Sequence, residues 1–315
     1  MTRLAGILTV LLLAALAALV TAVALGSVQL TPAQTLAVLT GDGDPLHRTL
    51  ILELRLPRAL AAFATGGLLA VAGALMQVLL RNPLADPYVL GLSGGAAVGA
   101  LASMLLGAGT VLISGSAFAG AMLSTFIVFG LAHGTGSWTP TRLLLTGVVV
   151  AAGWGALISF LLAVSPTEEL PGMLYWLMGD LSHARRIWPA WMVLVIVVLA
   201  TLPLGRSLNV LARGPLQAAA LGVAVRPLEW TIYILASLLT ALAVTTAGSI
   251  GFVGLVVPHM LRLILGNDQR LILPACALGG GALLTLADTL ARIVIAPEQL
   301  PVGVITALLG VPTFL

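Results

Sequence analysis

GRSLNVLARGPLQAAALGVAVRPL occupies Gly205–Leu228, and apolar runs press against it on both sides. It is the longest stretch in the second half of the chain without an apolar run of membrane length. It carries Arg206, Arg213 and Arg226 and no acid. Leu208 and Leu211, then Leu216 and Ala220, recur at helical spacing, which predicts helix rather than loose linker. Gly214-Pro215 interrupts that pattern, because proline has no N–H and glycine ends helices cheaply. Two short helices at an angle are expected, outside the bilayer, each exposing a partly apolar face. Taken alone, the pattern favours an ordinary interfacial helix pair.

Composition sets the class of the rest. Apolar residues make up 60% of the chain and charged residues 8%, where a soluble domain carries about 25% charged. Apolar runs of about 20 residues recur, each long enough for a hydrocarbon core of roughly 30 Å. Short alternating strands of the kind that build a membrane barrel are absent from the sequence. An all-α polytopic membrane protein is expected, with residues 1–315 as one transmembrane domain and 205–228 as its extramembrane helices.

The basic residues are all arginine; lysine does not occur. That excludes a Walker A phosphate loop, whose lysine is obligatory, and a lysine nucleophile. Cys276 is the single cysteine, so neither an internal disulfide nor a cysteine metal cluster is available. His47, His133, His183 and His259 form no i, i+4 pair, so no local metal motif arises.

Ten spans are expected. They begin with Leu4–Gly26, Pro57–Leu80, Tyr88–Leu106, Val111–Leu131, Leu143–Val164 and Ile187–Leu204. The run Trp230–Leu265 is too long for one crossing and should turn back near Gly248, Gly251, Gly254 and Pro258. Leu271–Ala287 and a last span from about Leu300 complete the set. Between spans, Thr31–Leu39 and Ser165–Arg186 read as amphipathic, and Arg81–Pro87 as a helix stop with two prolines. Gly91, Gly95, Gly99, Ser103 and Gly107 fall every fourth residue, a stripe that lets a neighbouring helix come close. An even number of spans puts both termini on one side, and the arginine distribution votes weakly for the cytoplasm.

On that orientation Arg55, Arg58 and Arg292 sit at the outer face, against the positive-inside tendency. Two readings stand side by side. Arg292 could pair with Asp288 at i, i+4, and the other two with Glu53 and lipid phosphate. Alternatively, the three form a basic docking site for acids of an external partner. No carboxylate or histidine sits clearly at mid-depth in a span, where gradient-driven carriers often place one. The energy source is therefore expected on a partner.

Several motifs occur in a fixed order. Arg55-Leu-Pro-Arg58 and Gly73-x-x-Met76-Gln77 come first, then Asn82-Pro-Leu-Ala-Asp-Pro87 and Gly91-x-Ser93-x-Gly95. Gly248-Ser-Ile-Gly-Phe-Val-Gly254, Pro258-His259-x-x-Arg262 and Leu286-Ala-Asp288 with Arg292 follow. Pro301-Val-Gly303-x-x-Thr306-x-x-x-Gly310-x-Pro312-x-Phe314 closes the series. This set resembles the FecCD-type permeases of ABC importers, which take up iron–siderophores, haem and cobalamin, and the resemblance covers nearly the whole chain. It implies a ten-helix permease in the bacterial inner membrane, with cytoplasmic termini, that pairs with a second permease copy, as a homodimer, around a central pathway.

The same resemblance implies two copies of a separate ATP-binding cassette subunit, which would carry ATP and Mg; this chain itself would hold no cofactor or metal and bind no nucleic acid. A periplasmic substrate-binding protein would dock at Arg55, Arg58 and Arg292. The ATPase would couple through Leu208, Leu211, Arg213, Gly214, Pro215, Leu216, Leu221 and Gly222. Asn82, Leu84 and Thr141 match positions near the family's cytoplasmic gate. Family members usually run on past Pro-x-Phe, so the tenth span is expected to be short here. The competing expectation is a stand-alone secondary transporter driven by an ion gradient.

Overall fold

The computed structural model describes residues 2–133, 139–182, 184 and 187–314. Among them every regular element is helical. Arg185, Arg186 and residues 134–138 of the short polar link expected over His133–Thr141 lie outside the described residues. The order is α1 (Thr2–Ala24), α2 (Pro32–Thr40), α3 (Pro45–Arg48), α4 (Leu56–Leu80), α5 (Leu92–Leu105), α6 (Thr110–His133) and α7 (Pro140–Val164). Then follow α8 (Leu170–Met178), α9 (Trp188–Thr201), α10 (Gly205–Leu211), α11 (Pro215–Ala220), α12 (Val225–Ala247), α13 (Val253–Leu265), α14 (Gln269–Ile293) and α15 (Val302–Gly310).

Each of the ten expected spans has its helix. Six helical runs are long and apolar enough to cross a membrane, and α9 with α10 makes a further pair, bent by 74°. The helices α5 and α13 are shorter, as is the run Val302–Phe314. The long apolar run divides into α12 and α13 at the glycine-rich segment 248–252, where Gly248 and Phe252 both take positive φ.

The helix at the centre is α4. Every residue from Ala61 to Leu80 is buried, and α1, α9, α12, α13 and α14 pack around it. Its sequence explains that position, since Ala and Gly fill much of it and let neighbouring backbones approach. A Cβ at Gly73 would collide with the carbonyl oxygen of Gly254 on α13, and one at Gly66 with that of Gly280 on α14. The stripe expected on the third span works the same way. Gly95 and Gly99 of α5 meet the backbone of Gly120 and Ser116 on α6, whereas Gly107 lies in open space. Because the Gly73 contact is backbone against backbone, Gly73→Ala is expected to cost about 1–3 kcal/mol, the range for overpacking. A lowered thermal-unfolding midpoint in detergent would show it.

Two boundaries differ from the sequence reading, and both matter for the site. Helix begins at Pro45, ahead of the expected start at Pro57, and passes through a π-helical turn, Thr49–Arg55, into α4, so Arg55 lies on the same continuous helix as Arg58. Likewise α14 continues past Ala287 to Ile293, which puts Asp288 and Arg292 on one helical face. Hydropathy stops a span where charges begin. The helix continues here because those charges find partners inside the protein.

Candidate functional site

At the end where α4 starts, the three arginines singled out in the sequence converge on α1 and α14. Asp288 of α14 is 1% exposed. Arg58 donates to it through Nε, at 3.0 and 3.1 Å, and through Nη2 at 2.8 Å. Nη1 of Arg58 donates to Gln299 Oε1 at 2.7 Å. Arg292 Nε stands 3.2 Å from Asp288 Oδ2 as an i, i+4 ion pair, without a hydrogen bond of its own. Its Nη2 donates to Ala22 O at 3.1 Å and to Thr289 Oγ1 at 3.2 Å, and Nη1 reaches Leu25 O at 3.4 Å.

Arg55 is held in a similar way. Nη1 donates to Val23 O and Ala24 O at 3.1 and 2.9 Å, and Nη2 donates to Val28 O. Two cations thus cap the last carbonyls of α1, which otherwise have no intrahelical donor and sit at the negative end of the helix dipole. One carboxylate and one helix terminus share three arginines. Arg55 and Arg292 are 6% and 4% exposed, and the Arg58 side chain 13%. The arrangement differs from a free basic mouth: the Arg292–Asp288 pair forms, while Arg58 turns to Asp288 and Gln299 rather than to Glu53. Gln299 carried no sequence signal, because nothing local links it to a residue 241 positions away.

The opposite end of α4 gathers the stretch 205–228. After the bend from α9, α10 buries Leu208 and Leu211 against the helix bundle. Asn209 ties α10 to the start of α14: its Oδ1 accepts from Gln269 N at 2.7 Å, and its Nδ2 donates to Asp268 Oδ1 at 2.9 Å. Asp268 in turn caps α14 by accepting from Arg270 N, and Arg270 binds its carboxylate through Nε and Nη2. Those Arg270 hydrogen bonds hold the Asp268 carboxyl well below the usual carboxylate range, so it stays ionised.

Gly214 (φ 133°) breaks the chain, and Pro215 opens α11 as its first residue. Beyond the break Ala218 is buried but the large apolar residues of α11 and its cap face outward. Leu216 is 86% exposed and Leu221 71%. Arg213 and Gly222 are exposed beside them. The four leucines therefore divide: Leu208 and Leu211 anchor, while Leu216 and Leu221 are left bare. The sequence pointed to all four for the coupling contact without saying which way each faced.

Asn82 and Leu84 lie in the exposed turn after α4, where Asn82 Oδ1 accepts from Leu84 N at 2.9 Å. Arg81 closes α4 in the left-handed conformation (φ 51°), which aims this turn away from the helix axis. Thr141 is exposed in the first turn of α7, whose cap is Thr139, instead of in a link before it. Between these elements, Arg262 of α13 donates to Gln77 Oε1 and to Ala74 O of α4. Both residues stood in quoted motifs, but their pairing across 185 positions had no local signature.

The profile of the FecCD transport family matches residues 11–315. A cobalamin import system permease, BtuC of Halobacterium salinarum, is 44% identical over 271 residues, covering 85% of this chain and 73% of its own. The hemin transport system permease HmuU of Yersinia pestis is 43% identical over 274 residues, covering 84% and 81%. A solved metal-chelate type ABC transporter in an inward-facing conformation superposes with a TM-score of 0.85 at 29% identity, over 99% of this chain and 97% of that one. With this match over nearly its full length, and with helices at all ten expected spans, the chain belongs to the FecCD transport family as a permease subunit of an ABC importer.

Proposed function

We propose that this permease carries a metal chelate of the haem or siderophore kind, or cobalamin, across the cell membrane at the expense of ATP hydrolysed elsewhere. The observation that carries the reading is the pair of bare leucines, Leu216 on α11 and Leu221 at its C-cap, beyond a helix break next to an anchored α10. Large apolar side chains outside a span call for a protein or membrane partner. The chain has no lysine and hence no Walker A site of its own. A separate ATP-binding cassette subunit holding ATP and Mg is the partner that fits, present in two copies on a homodimer of permeases. Leu216 and Leu221 would touch it, with Arg213, Gly214, Pro215 and Gly222 shaping the contact and Leu208 and Leu211 transmitting its motion to α14.

With the 205–228 end and both termini in the cytoplasm, the arginine cluster lies at the outer end. There a periplasmic binding protein would dock. Arg55 and Arg292 support that surface from beneath by holding α1, and Arg58, the most open of the three, would meet an acid of the partner with the N–H groups that Asp288 and Gln299 do not take. Asn82, Leu84 and Thr141 would belong to the inner gate. ATP binding on the partner would shift the populations of outward- and inward-open states through differential contacts at α11.

The test is uptake into vesicles holding the permease with its ATPase and binding protein. Accumulation of labelled haem, ferric siderophore or cobalamin that requires ATP is expected. Uptake that follows a proton or sodium gradient and ignores ATP would overturn the reading in favour of a secondary carrier, which finds no support among the relatives.

A further inference from the structure

At the end where α4 finishes, a cavity of about 490 Å³ opens between the helix bundle and α10. Arg81 from the α4 cap, Arg213 from the α10–α11 break and Arg262 from α13 line it, with Gln77, Asn209 and Gln269. Three guanidinium groups from three separate elements thus border one space. None of them forms an ion pair with an acid among the described residues. The one carboxylate in the lining, Asp268, is already bound by Arg270 and Asn209. Glu229 lies near enough to Arg81 to feel its charge, but it does not pair with Arg213 or Arg262 and arginine does not discharge by losing its proton, so the cavity keeps a positive excess.

A second feature points the same way. Gln269 is 1% exposed and lines the cavity, yet its Oε1 has no hydrogen-bond partner. Its backbone N–H is fixed by Asn209, while the side-chain Oε1 is left unpaired. Turned about its last bond, that amide offers an N–H to a ligand instead of an oxygen. A buried amide without a partner is costly, and a ligand that meets it recovers the loss. The space is many times the roughly 30 Å³ that one water occupies in the liquid, so a hydrated polyatomic ion fits.

We infer that this cavity binds a phosphate group, either free phosphate or the headgroup of an anionic phospholipid. Guanidinium forks match phosphate oxygens in pairs, and a group with three or four oxygens can meet three arginines at once, which a single carboxylate with two cannot. Occupied, the site would tie the α10–α11 break to the ends of α4 and α13. The inference rests on the cavity and does not depend on the transported substrate.

Arg81 and Arg213 are exposed, so Arg81→Gln with Arg213→Gln leaves the packed helices intact, to be verified by an unchanged unfolding midpoint. Inorganic phosphate is titrated calorimetrically into the purified full chain in detergent. In parallel, native mass spectrometry follows lipid retained from nanodiscs of phosphatidylglycerol and of phosphatidylcholine. Saturable phosphate binding, weakened roughly tenfold in the double variant through loss of charge-assisted hydrogen bonds, assigns the site to the free ion. Phosphatidylglycerol retained over phosphatidylcholine, and lost in the variant, assigns it to the headgroup. If wild type and variant differ by less than about threefold in both assays, well under the tenfold expected when such contacts are lost, the inference is overturned, and the arginines serve an acid of the partner protein instead.

Discussion

Leu216→Asp together with Leu221→Asp is expected to release the ATPase subunit while leaving the permease folded. Both side chains are almost bare, so replacing them removes little buried surface from the chain itself. In a docked complex the same two residues would be central apolar anchors. Losing such an anchor costs about 2 kcal/mol or more, which is about thirtyfold in affinity for each. Co-purification and a measured dissociation constant in detergent would report the loss. Leu208→Asp supplies the contrast, since its side chain is fully buried under α10. There the charge would enter the bundle, and the unfolding midpoint should fall before any partner is added. Association that survives the Leu216 and Leu221 changes would assign those residues to the lipid surface.

Asp288→Ala should be the most damaging single substitution at the other end. The carboxylate is the only acid bonded to Arg58 and Arg292 among the described residues, and it is almost wholly buried. Its removal leaves two cations facing each other without their counter-charge. Breaking a buried pair from one side costs about 3–5 kcal/mol. A drop of the unfolding midpoint in detergent is expected, with the first helix loosened as Arg292 moves off Ala22 and Leu25. Asp288→Ala with Arg58→Leu should recover part of the loss, because the surplus cation goes with the carboxylate. Equal midpoints for the single and double variants would show that charge balance is not what holds this end.

These two ends also show how far the sequence could be read. The spans were legible because hydropathy is a property of each segment by itself: Leu4–Gly26 and Val111–Leu131 became α1 and α6 with small shifts at their ends. The arginines were legible as special, since charges at an outer face need a reason to stay. Their partners were not. Arg58 meets Asp288 across 230 positions, and Arg55 meets carbonyl oxygens that have no signature in side-chain identity. Likewise the spacing of Leu208 and Leu211, and of Leu216 and Ala220, announced helix on both sides of Gly214-Pro215. Which pair would be covered depended on how the chain bends after α9, a tertiary matter.

The helix α14 joins both ends. Its first residue, Gln269, is fastened to α10 through Asn209, and its last two turns carry Asp288 and Arg292, which grip α4 and α1. At about 1.5 Å per residue its 25 residues make a strut of about 37 Å. Neither fastening can be displaced along its axis without loading the other, unless the strut flexes. The compliant places are inside it: Pro274, which removes one backbone hydrogen bond, and Gly279–Gly281, three adjacent residues with no side chain to brace the turn. One helix thus ties the two ends together, and its regularity is broken by four residues near the middle.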